Sequence, residues 1–362
     1  MFYYLLSPLR EIFFGFNVFR YITFRAAAAA ITAFILSLIL GQGFIKKLIT
    51  LQLKQAVRKH ECAPLYDFHA SKENIPTMGG VLIISVIVLS TLCWANLENR
   101  YITIAILTTL WFGIIGFIDD YLKMQKRNHR GLAGRLKILG QVIFGVILGV
   151  IIYFDPQLNT QLDVPFFKTL FIDLGVFYVF FVVLVIVGSS NAVNLTDGLD
   201  GLAIGCVAMV ALTYAGFAYL TGHARLSDYL MICFIPGAGE LAVFSMAIVG
   251  AGLGFLWYNS HPATIFMGDT GALSLGGAIG TVAILIKKEL LLLIVGGIFV
   301  AEALSVILQV FSFKLMKKRI FLMAPLHHHF QLKGWPESKI IIRFWIVAVV
   351  LAMCSLATLK LR

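Results

Sequence analysis

Apolar stretches long enough to cross a membrane alternate with short polar segments along almost the whole chain of 362 residues. A helix needs about 20 mainly apolar residues to cross roughly 30 Å of hydrocarbon. Since no barrel-type alternation of apolar and polar residues accompanies these stretches, they predict helices, which satisfy their own backbone hydrogen bonds in lipid. The ten predicted spans, some of which need loop residues to complete the crossing, are residues 26–44, 78–95, 102–118, 136–154, 174–188, 202–220, 241–257, 272–286, 290–313 and 340–359.

Composition supports the same fold class. Hydrophobic residues make up 60% of the chain and charged residues only 13%, which excludes a water-soluble globule. The segment before the first span mixes aromatic side chains with arginines and is expected to lie along the membrane interface. The first span is too long for a cleaved signal peptide and has no clear cleavage site. The chain is therefore predicted to be an all-α polytopic membrane protein that forms one domain over residues 1–362.

Lysine and arginine are distributed unevenly between the two sets of loops. The segments after the first, third and ninth predicted spans hold most of the 29 basic residues. Positive charge is typical of cytoplasmic loops, so these segments are predicted to be cytoplasmic and both termini periplasmic. Because the basic residues flank membrane spans, the net charge of +11 favours membrane lipids and anionic substrates as partners, and not nucleic acid.

Polar and acidic residues gather on the predicted cytoplasmic face. One such aspartate is as readily a solvated loop end, but three polar, glycine-bearing segments on one face indicate a site. Two of these segments contain no lysine or arginine, which favours a bound cation, and their oxygen ligands suit Mg²⁺. The residues are Asp119 and Asp120 at the end of the third span, Asn194, Asp197 and Asp200 after the fifth, and Asp269 before the eighth.

The same face offers groups that bind phosphate. Mg²⁺ held by few carboxylates completes its coordination with water and phosphate oxygens. Lys72 and Lys123 can neutralise phosphates, and the glycines near the aspartates would let backbone N–H groups approach an anion. Taken alone, such glycines are more often helix caps or packing sites. Together with the aspartates and lysines, they favour phosphoryl transfer at the membrane surface.

Three consecutive histidines, His327, His328 and His329, lie in the segment MAPLHHHFQLKGWPE at residues 323–337. Side chains of adjacent residues diverge, and no further cysteine or histidine stands at zinc-ligand spacing, so the pattern disfavours a zinc site. The imidazoles can instead donate hydrogen bonds to phosphate or sugar oxygens.

These segments together resemble the phospho-N-acetylmuramoyl-pentapeptide transferase family, within the larger group of polyprenyl-phosphate sugar-1-phosphate transferases. The aspartate motifs are shared with relatives that use UDP-N-acetylglucosamine, whereas the histidine segment with GWPE is similar to the muramoyl-pentapeptide branch. The segment APLYDFHASKEN differs from the sequence that the family usually has at this position. The resemblance covers nearly the whole chain, through HASKENIPTMGG (69–80), GFIDDYLK (116–123), NAVNLTDGLDGL (191–202), FMGDTGALSLGG (266–277) and PLHHHFQLKGWPE (325–337).

The resemblance implies that UDP-N-acetylmuramoyl-pentapeptide reacts with undecaprenyl phosphate, giving lipid I and UMP. It also implies Mg²⁺ as cofactor, a homodimer, the cell inner membrane as location and an active-site cleft on the cytoplasmic face. Asp269 is implied as the Mg²⁺ ligand and Asp119 as the residue at the attacking lipid phosphate, with Asp120 supporting this region. His327 is the histidine implied to affect turnover.

The resemblance implies further substrate contacts, mainly to the nucleotide and diphosphate. Phe266 is similar to the residue that stacks on uracil. The other implied contacts are Lys72, Thr77, Lys123, Asn194, Asp197, Asp200, His328 and His329.

Two alternative functions stay open. A transferase that uses UDP-N-acetylglucosamine shares the aspartate motifs and is discriminated by offering both UDP-sugars. A secondary transporter also fits ten spans, and Glu302 in the ninth span and Glu240 are its best support. The main acidic residues lie at one face, however, and the sequence shows no internal repeat, which favours the transferase.

Overall fold

The computed structural model of the chain describes residues 1–6, 8–11, 13–51, 75–125, 131–155, 157–167 and 170–360. It is a helical bundle with a short N-terminal region, in which one helix and two 3₁₀ turns (Pro8–Glu11 and Phe14–Arg20) precede the first long helix. The helices are α1 (Phe2–Leu6), α2 (Ile22–Thr50), α3 (Gly80–Trp94), α4 (Arg100–Gln125), α5 (Gly134–Tyr153), α6 (Phe177–Thr196), α7 (Leu202–Thr221), α8 (Ala224–Leu230), α9 (Glu240–Asn259), α10 (Gly268–Leu285), α11 (Leu292–Val295), α12 (Gly297–Met316), α13 (Leu326–Leu332) and α14 (Glu337–Ala357).

Nine of the helices in the described part of the chain are long and apolar enough to cross a membrane. This confirms the prediction of a helical multi-pass membrane protein, with one difference in the number of full-length spans. The predicted second span corresponds to α3, which has only 15 residues and is therefore roughly 22 Å long. It is apolar throughout but shorter than a complete crossing.

Two local features were not predicted. The predicted ninth span is divided at Gly296, where α11 ends and α12 begins. Between α5 and α6 the chain forms a small antiparallel hairpin, in which β1 (Gln161–Asp163) pairs with β2 (Phe171–Asp173). The chain is mainly helical, as predicted, and this two-stranded ribbon is a small addition to the all-α fold.

The bundle is arranged around three central helices. Most side chains of α7, α9 and α10 are buried, with α9 packed against α2 and α7, and α10 packed against α4 and α6. Helices α2, α5, α12 and α14 lie outside and expose large apolar side chains. In a membrane protein such surfaces face lipid, since hydrocarbon chains are as apolar as the side chains themselves.

Glycines fix the position at which α10 begins. A Cβ atom at Gly80 of α3 would lie 2.0 Å from the backbone nitrogen of Gly271, and one at Gly116 of α4 would lie 2.3 Å from the backbone oxygen of Asp269. Both contacts are with backbone atoms of the first turn of α10, which cannot turn aside as a side chain can. Helices α3 and α4 therefore hold the start of α10 through direct backbone contact.

Buried ion pairs stabilise the end of the bundle opposite to the first turn of α10. Arg25 at the start of α2 donates to both carboxylate oxygens of Glu240, at 2.7 and 2.5 Å. Lys288 pairs with Asp163 of β1 and thereby holds the hairpin against the chain after α10. Glu240 is thus engaged in a structural pair, which removes one of the two observations that favoured a transporter.

Candidate active site

Two carboxylates and a lysine lie on one face of the last turns of α4. Asp119 and Asp120 are buried, and Lys123 follows one turn later, so its ammonium group reaches back along the helix. Its Nζ atom lies 2.5 Å from Asp119 Oδ2 and 4.0 Å from Asp120 Oδ1. The lysine offsets the unfavourable meeting of negative charge with the negative end of the α4 dipole.

Asp120 caps the neighbouring helix α10. Its carboxylate accepts hydrogen bonds from the backbone N–H groups of Asp269 (3.2 Å) and Thr270 (2.9 Å), and from the Thr270 hydroxyl (2.7 Å). These N–H groups have no partner inside α10, and the positive end of the helix dipole favours a carboxylate there. Gly268, with a φ of +73°, makes room for it, because a Cβ atom there would lie 2.6 Å from Asp120 Oδ2.

Asp269, in the first turn of α10, receives two ammonium groups. Lys123 Nζ lies 2.9 Å and Lys137 Nζ 2.6 Å from Asp269 Oδ2. Lys137 comes from the first turn of α5 and also lies 4.0 Å from Asp119 Oδ2. Lys137 was not among the predicted site residues. Its place in the first turn of a span, on the same side as the carboxylates, was the available signal.

The three carboxylates fit a magnesium ion. One oxygen from each of Asp119, Asp120 and Asp269 lies within 4.8 Å of the others. Carboxylate oxygens are the ligands Mg²⁺ prefers, usually one or two together with water and phosphate. Three carboxylates face two ammonium groups, so the cluster keeps negative charge for a further cation. Asp269 has the most exposed side chain of the three and is the carboxylate most open to an ion shared with substrate.

Thr77 is brought to this cluster by paired backbone segments. Phe266 donates its N–H to the carbonyl of Pro76, and the Phe266 carbonyl accepts from Gly79, at 2.9 and 2.8 Å. A Cβ atom at Gly268 would lie 3.1 Å from the Thr77 hydroxyl, so this hydroxyl lies beside Asp120. Phe266 is half-buried in the same segment. The predicted contact Lys72 lies outside the described residues.

The loop between α6 and α7 carries two of the predicted aspartates in different surroundings. The Asp200 carboxylate accepts the backbone N–H of Ala263 and contacts His261 Nδ1, both at 3.1 Å. The Asp200 N–H donates to Glu337 Oε1 at 3.0 Å. Asp200 therefore joins three segments of the chain. Asn194 accepts the backbone N–H of Asp197 at 3.3 Å through its own backbone carbonyl.

Asp197 lies in the field of the carboxylate cluster. Burial disfavours its charged form, and the negative charges of Asp269, Asp120 and Asp200 act in the same direction, so the pKa of Asp197 rises from 3.8 to about 8. Asp197 is therefore mainly protonated at neutral pH when no cation is bound. It can then donate a hydrogen bond as well as accept one.

This shift predicts a pH-dependent gain in stability for Asp197→Asn. A folded-state pKa above the unfolded value means that wild type loses stability as pH rises from about 4 to about 8, whereas asparagine has no such loss. We expect the variant to melt at higher temperature, with a difference that widens from pH 5 to pH 8. Thermal unfolding in EDTA without substrate measures it, with Asp228→Asn at an exposed position as control. A difference independent of pH would contradict the assignment.

The three histidines make separate contacts. His327 is buried against Gly198 and lies next to Glu302. His328 Nδ1 lies 2.7 Å from Gln331 Oε1, and His329 Nδ1 accepts the Leu322 N–H at 3.2 Å. Burial and the nearby charge of Lys333 lower the pKa of His329, so this imidazole is neutral at pH 7. The rings of His327 and His328 also pack against each other, with their centroids 4.1 Å apart.

The candidate site residues thus form one close cluster, with the α6–α7 loop and the histidine segment as two further groups. The cluster contains Asp119, Asp120, Lys123, Lys137 and Asp269, with Thr77 at its edge. Asp197 responds to the cluster electrostatically, and Asp200 belongs to a junction with His261 and Glu337. Among the histidines, His327 touches the loop of these aspartates, whereas the contacts described for His328 and His329 lie within their own segment.

The carboxylates and lysines of the cluster lie where several helices of the membrane bundle begin or end. Such a site is suited to binding an anionic substrate at the membrane surface. The chain matches the family model described as glycosyl transferase family 4 over residues 102–287, which include this cluster. It also matches the model described as phospho-N-acetylmuramoyl-pentapeptide-transferase signature 1 over residues 72–84.

Curated relatives narrow the class. Phospho-N-acetylmuramoyl-pentapeptide-transferases of Citrifermentans bemidjiense and of Geobacter sp. (strain M21) are each 54% identical to the chain over 362 residues. The one of Desulfotalea psychrophila is 53% identical over 363 residues, and in all three cases the match covers 100% of both chains. The chain belongs to the phospho-N-acetylmuramoyl-pentapeptide-transferase family, as its motifs predicted.

Proposed function

We propose that the protein transfers phospho-N-acetylmuramoyl-pentapeptide from its UDP-linked precursor to undecaprenyl phosphate, giving lipid I and UMP for peptidoglycan synthesis. Identity above 50% over the full length of relatives with this named activity supports the assignment. The observation that carries it is the cluster of three carboxylates and two lysines, which suits a reaction between two phosphate-bearing substrates.

In the proposed reaction an oxygen of the lipid phosphate attacks the phosphorus that carries the sugar. The bond from this phosphorus to the bridging oxygen breaks, and UMP leaves with the electron pair. Because both reactants are anions, positive charge has to offset their repulsion and stabilise the charge of the transition state. Lys123 and Lys137 are proposed to supply this charge, and the position of both ammonium groups beside Asp269 supports the proposal.

Asp269 is the proposed ligand of Mg²⁺. When bound, the ion supplies charge neutralisation at the phosphates. Asp119 is proposed to face the attacking lipid phosphate, and its ion pair with Lys123 holds the carboxylate in one orientation. Asp120 is proposed to support the site by holding the first turn of α10 in place.

The remaining predicted residues are proposed as substrate contacts, with Phe266 stacking on uracil, which contributes about 1 to 3 kcal/mol in comparable cases. His327 is proposed to affect turnover. The other proposed contacts, Lys72 among them although it lies outside the described residues, are Thr77, Lys123, Asn194, Asp197, Asp200, His328 and His329. We also propose the cell inner membrane as the location and a homodimer as the assembled form.

The function is tested by offering the purified protein undecaprenyl phosphate together with either UDP-N-acetylmuramoyl-pentapeptide or UDP-N-acetylglucosamine. We expect UMP release with the first nucleotide sugar and little with the second. Equal or greater release with UDP-N-acetylglucosamine would favour the related transferase. No release with either would refute sugar-1-phosphate transfer altogether.

The proposed orientation predicts which loops are reached from each side. In a cysteine-free background, a cysteine at Lys318, in the exposed segment after α12, should react with membrane-impermeant maleimide only in inverted vesicles. A cysteine at Glu98, exposed at the opposite end of the bundle, should react in intact spheroplasts. The distribution of basic residues is the reason. The reverse pattern would place the carboxylate cluster outside, away from UDP-sugars.

A further inference from the structure

Glu302 and His327 form a buried pair between α12 and α13. The side chains of both residues are almost inaccessible, at 0% and 1% exposure. Glu302 Oε1 accepts the backbone N–H of His327 at 3.2 Å, and the same oxygen lies 3.3 Å from His327 Nδ1. The carboxylate therefore contacts the first histidine of the HHH segment twice, through its backbone and through its ring.

The other ring nitrogen points to the loop that carries the predicted substrate contacts. A Cβ atom at Gly198 would lie 2.2 Å from His327 Nε2. Gly198 directly follows Asp197, the aspartate that responds to the charges of Asp269 and Asp120. The imidazole thus lies between a carboxylate of a membrane-spanning helix and the backbone of the α6–α7 loop.

Among the described residues, Glu302 Oε2 and His327 Nε2 have no hydrogen-bond partner, and the 3.3 Å contact of His327 Nδ1 with Glu302 Oε1 is an electrostatic contact outside hydrogen-bond geometry. Burying a carboxylate without full compensation is destabilising, so packing alone does not account for a glutamate at this position. A carboxylate beside Nδ1 favours the tautomer with a proton on Nδ1 and holds the ring in one orientation. Nε2 is then left as the acceptor that faces the loop.

We propose that Glu302 is a positioning residue for the transfer reaction, which holds the His327 imidazole so that Nε2 faces Gly198 and the adjoining Asp197. The inference rests on the proposed function, because the effect of His327 orientation is measured as the kcat of the transfer reaction. It also assigns a role to the membrane-embedded glutamate that otherwise favoured a transporter.

Glu302→Gln separates this role from a structural one. The glutamine carbonyl still accepts the His327 backbone N–H, so the link between α12 and α13 persists, but the negative charge beside the ring is lost. We expect kcat to fall about 10- to 100-fold, as when a carboxylate partner of a functional imidazole is removed. The KM for the UDP-linked precursor should stay close to that of wild type, because the substrate-binding residues are unchanged.

Dependence on His327 is tested in a double variant. In a His327→Ala background, Glu302→Gln should cause no further fall in kcat, because the group it positions is absent. Glu240→Gln is the matched control, since it removes a buried carboxylate at the opposite end of the bundle. This substitution should lower the unfolding temperature, because it removes the charge that pairs with Arg25, and it should leave kcat unchanged. Wild-type kcat in Glu302→Gln, or an equal fold-loss with and without His327, would overturn the inference.

The contact is also tested without substrate. The shifts in unfolding temperature of Glu302→Gln and His327→Ala should be non-additive in the double variant, since the two residues touch. Additive shifts would refute the pairing even if the protein is an active transferase. Failure of wild type to release UMP would instead refute the proposed function and leave this coupling in place, so the two failures are distinguishable.

Discussion

Asp269→Asn is expected to lower the rate of UMP release about 10²- to 10³-fold, at any Mg²⁺ concentration, while the protein stays folded. Asparagine keeps the size of the side chain and an oxygen that accepts from Lys123 or Lys137. It removes the charge proposed to hold the ion against the diphosphate, and losing one such electrostatic contact costs about 3 to 4 kcal/mol of transition-state stabilisation. Steady-state UMP release and thermal unfolding in detergent measure the two effects.

The metal dependence has its own control. Wild type should lose activity in EDTA and regain it with Mg²⁺, whereas Asp269→Asn should respond to neither. Asp228→Asn, which changes an exposed aspartate, should behave like wild type in both assays. Turnover near that of wild type in Asp269→Asn, or wild-type activity that persists in EDTA, would remove an aspartate-bound metal from the mechanism.

Lys137→Gln should reduce UMP release by about 10²-fold, the range seen when one group that stabilises transition-state charge is lost. Its ammonium group is 2.6 Å from Asp269 Oδ2 and comes from α5, a helix that contributes no other residue to the cluster. Lys314→Gln serves as control, because it removes an exposed positive charge at the end of α12. Lys137→Gln with normal turnover would mean that Lys123 alone provides the neutralisation.

The sequence was sufficient for the helices and for the residues of the cluster that lie in motifs. Long apolar stretches predicted ten spans, of which nine correspond to full-length helices and one to the shorter α3, because apolar length is a local property of the chain. The hairpin between α5 and α6 was missed, since its strands have three residues each and show no usable alternation. The split at Gly296 was missed because apolar residues continue on both sides of it.

The roles of individual residues depended on contacts that no local pattern contains. Adjacent acids at the end of an apolar helix suggested a bound cation. The structure adds that Asp120 is held by the first turn of α10, a helix that begins about 150 residues later. The position of Lys137 at the start of a span indicated the correct face of the membrane, but only the packing of α5 brings its side chain to Asp269. Glu302 could be recognised from the sequence as an unusual residue within a span, but its pairing with His327 could not be predicted.

The close approach of α3 and α4 to α10 also bears on protein engineering. Gly80 and Gly116 locate the first turn of α10 through backbone atoms, and the lipid-facing side chains of α2, α5, α12 and α14 take no part in that contact. A detergent-free version of the protein can therefore be sought by recoding the outer apolar surface with polar residues. The two glycines belong among the positions held constant in such a redesign, because a side chain at either one would clash with the backbone of the first turn of α10.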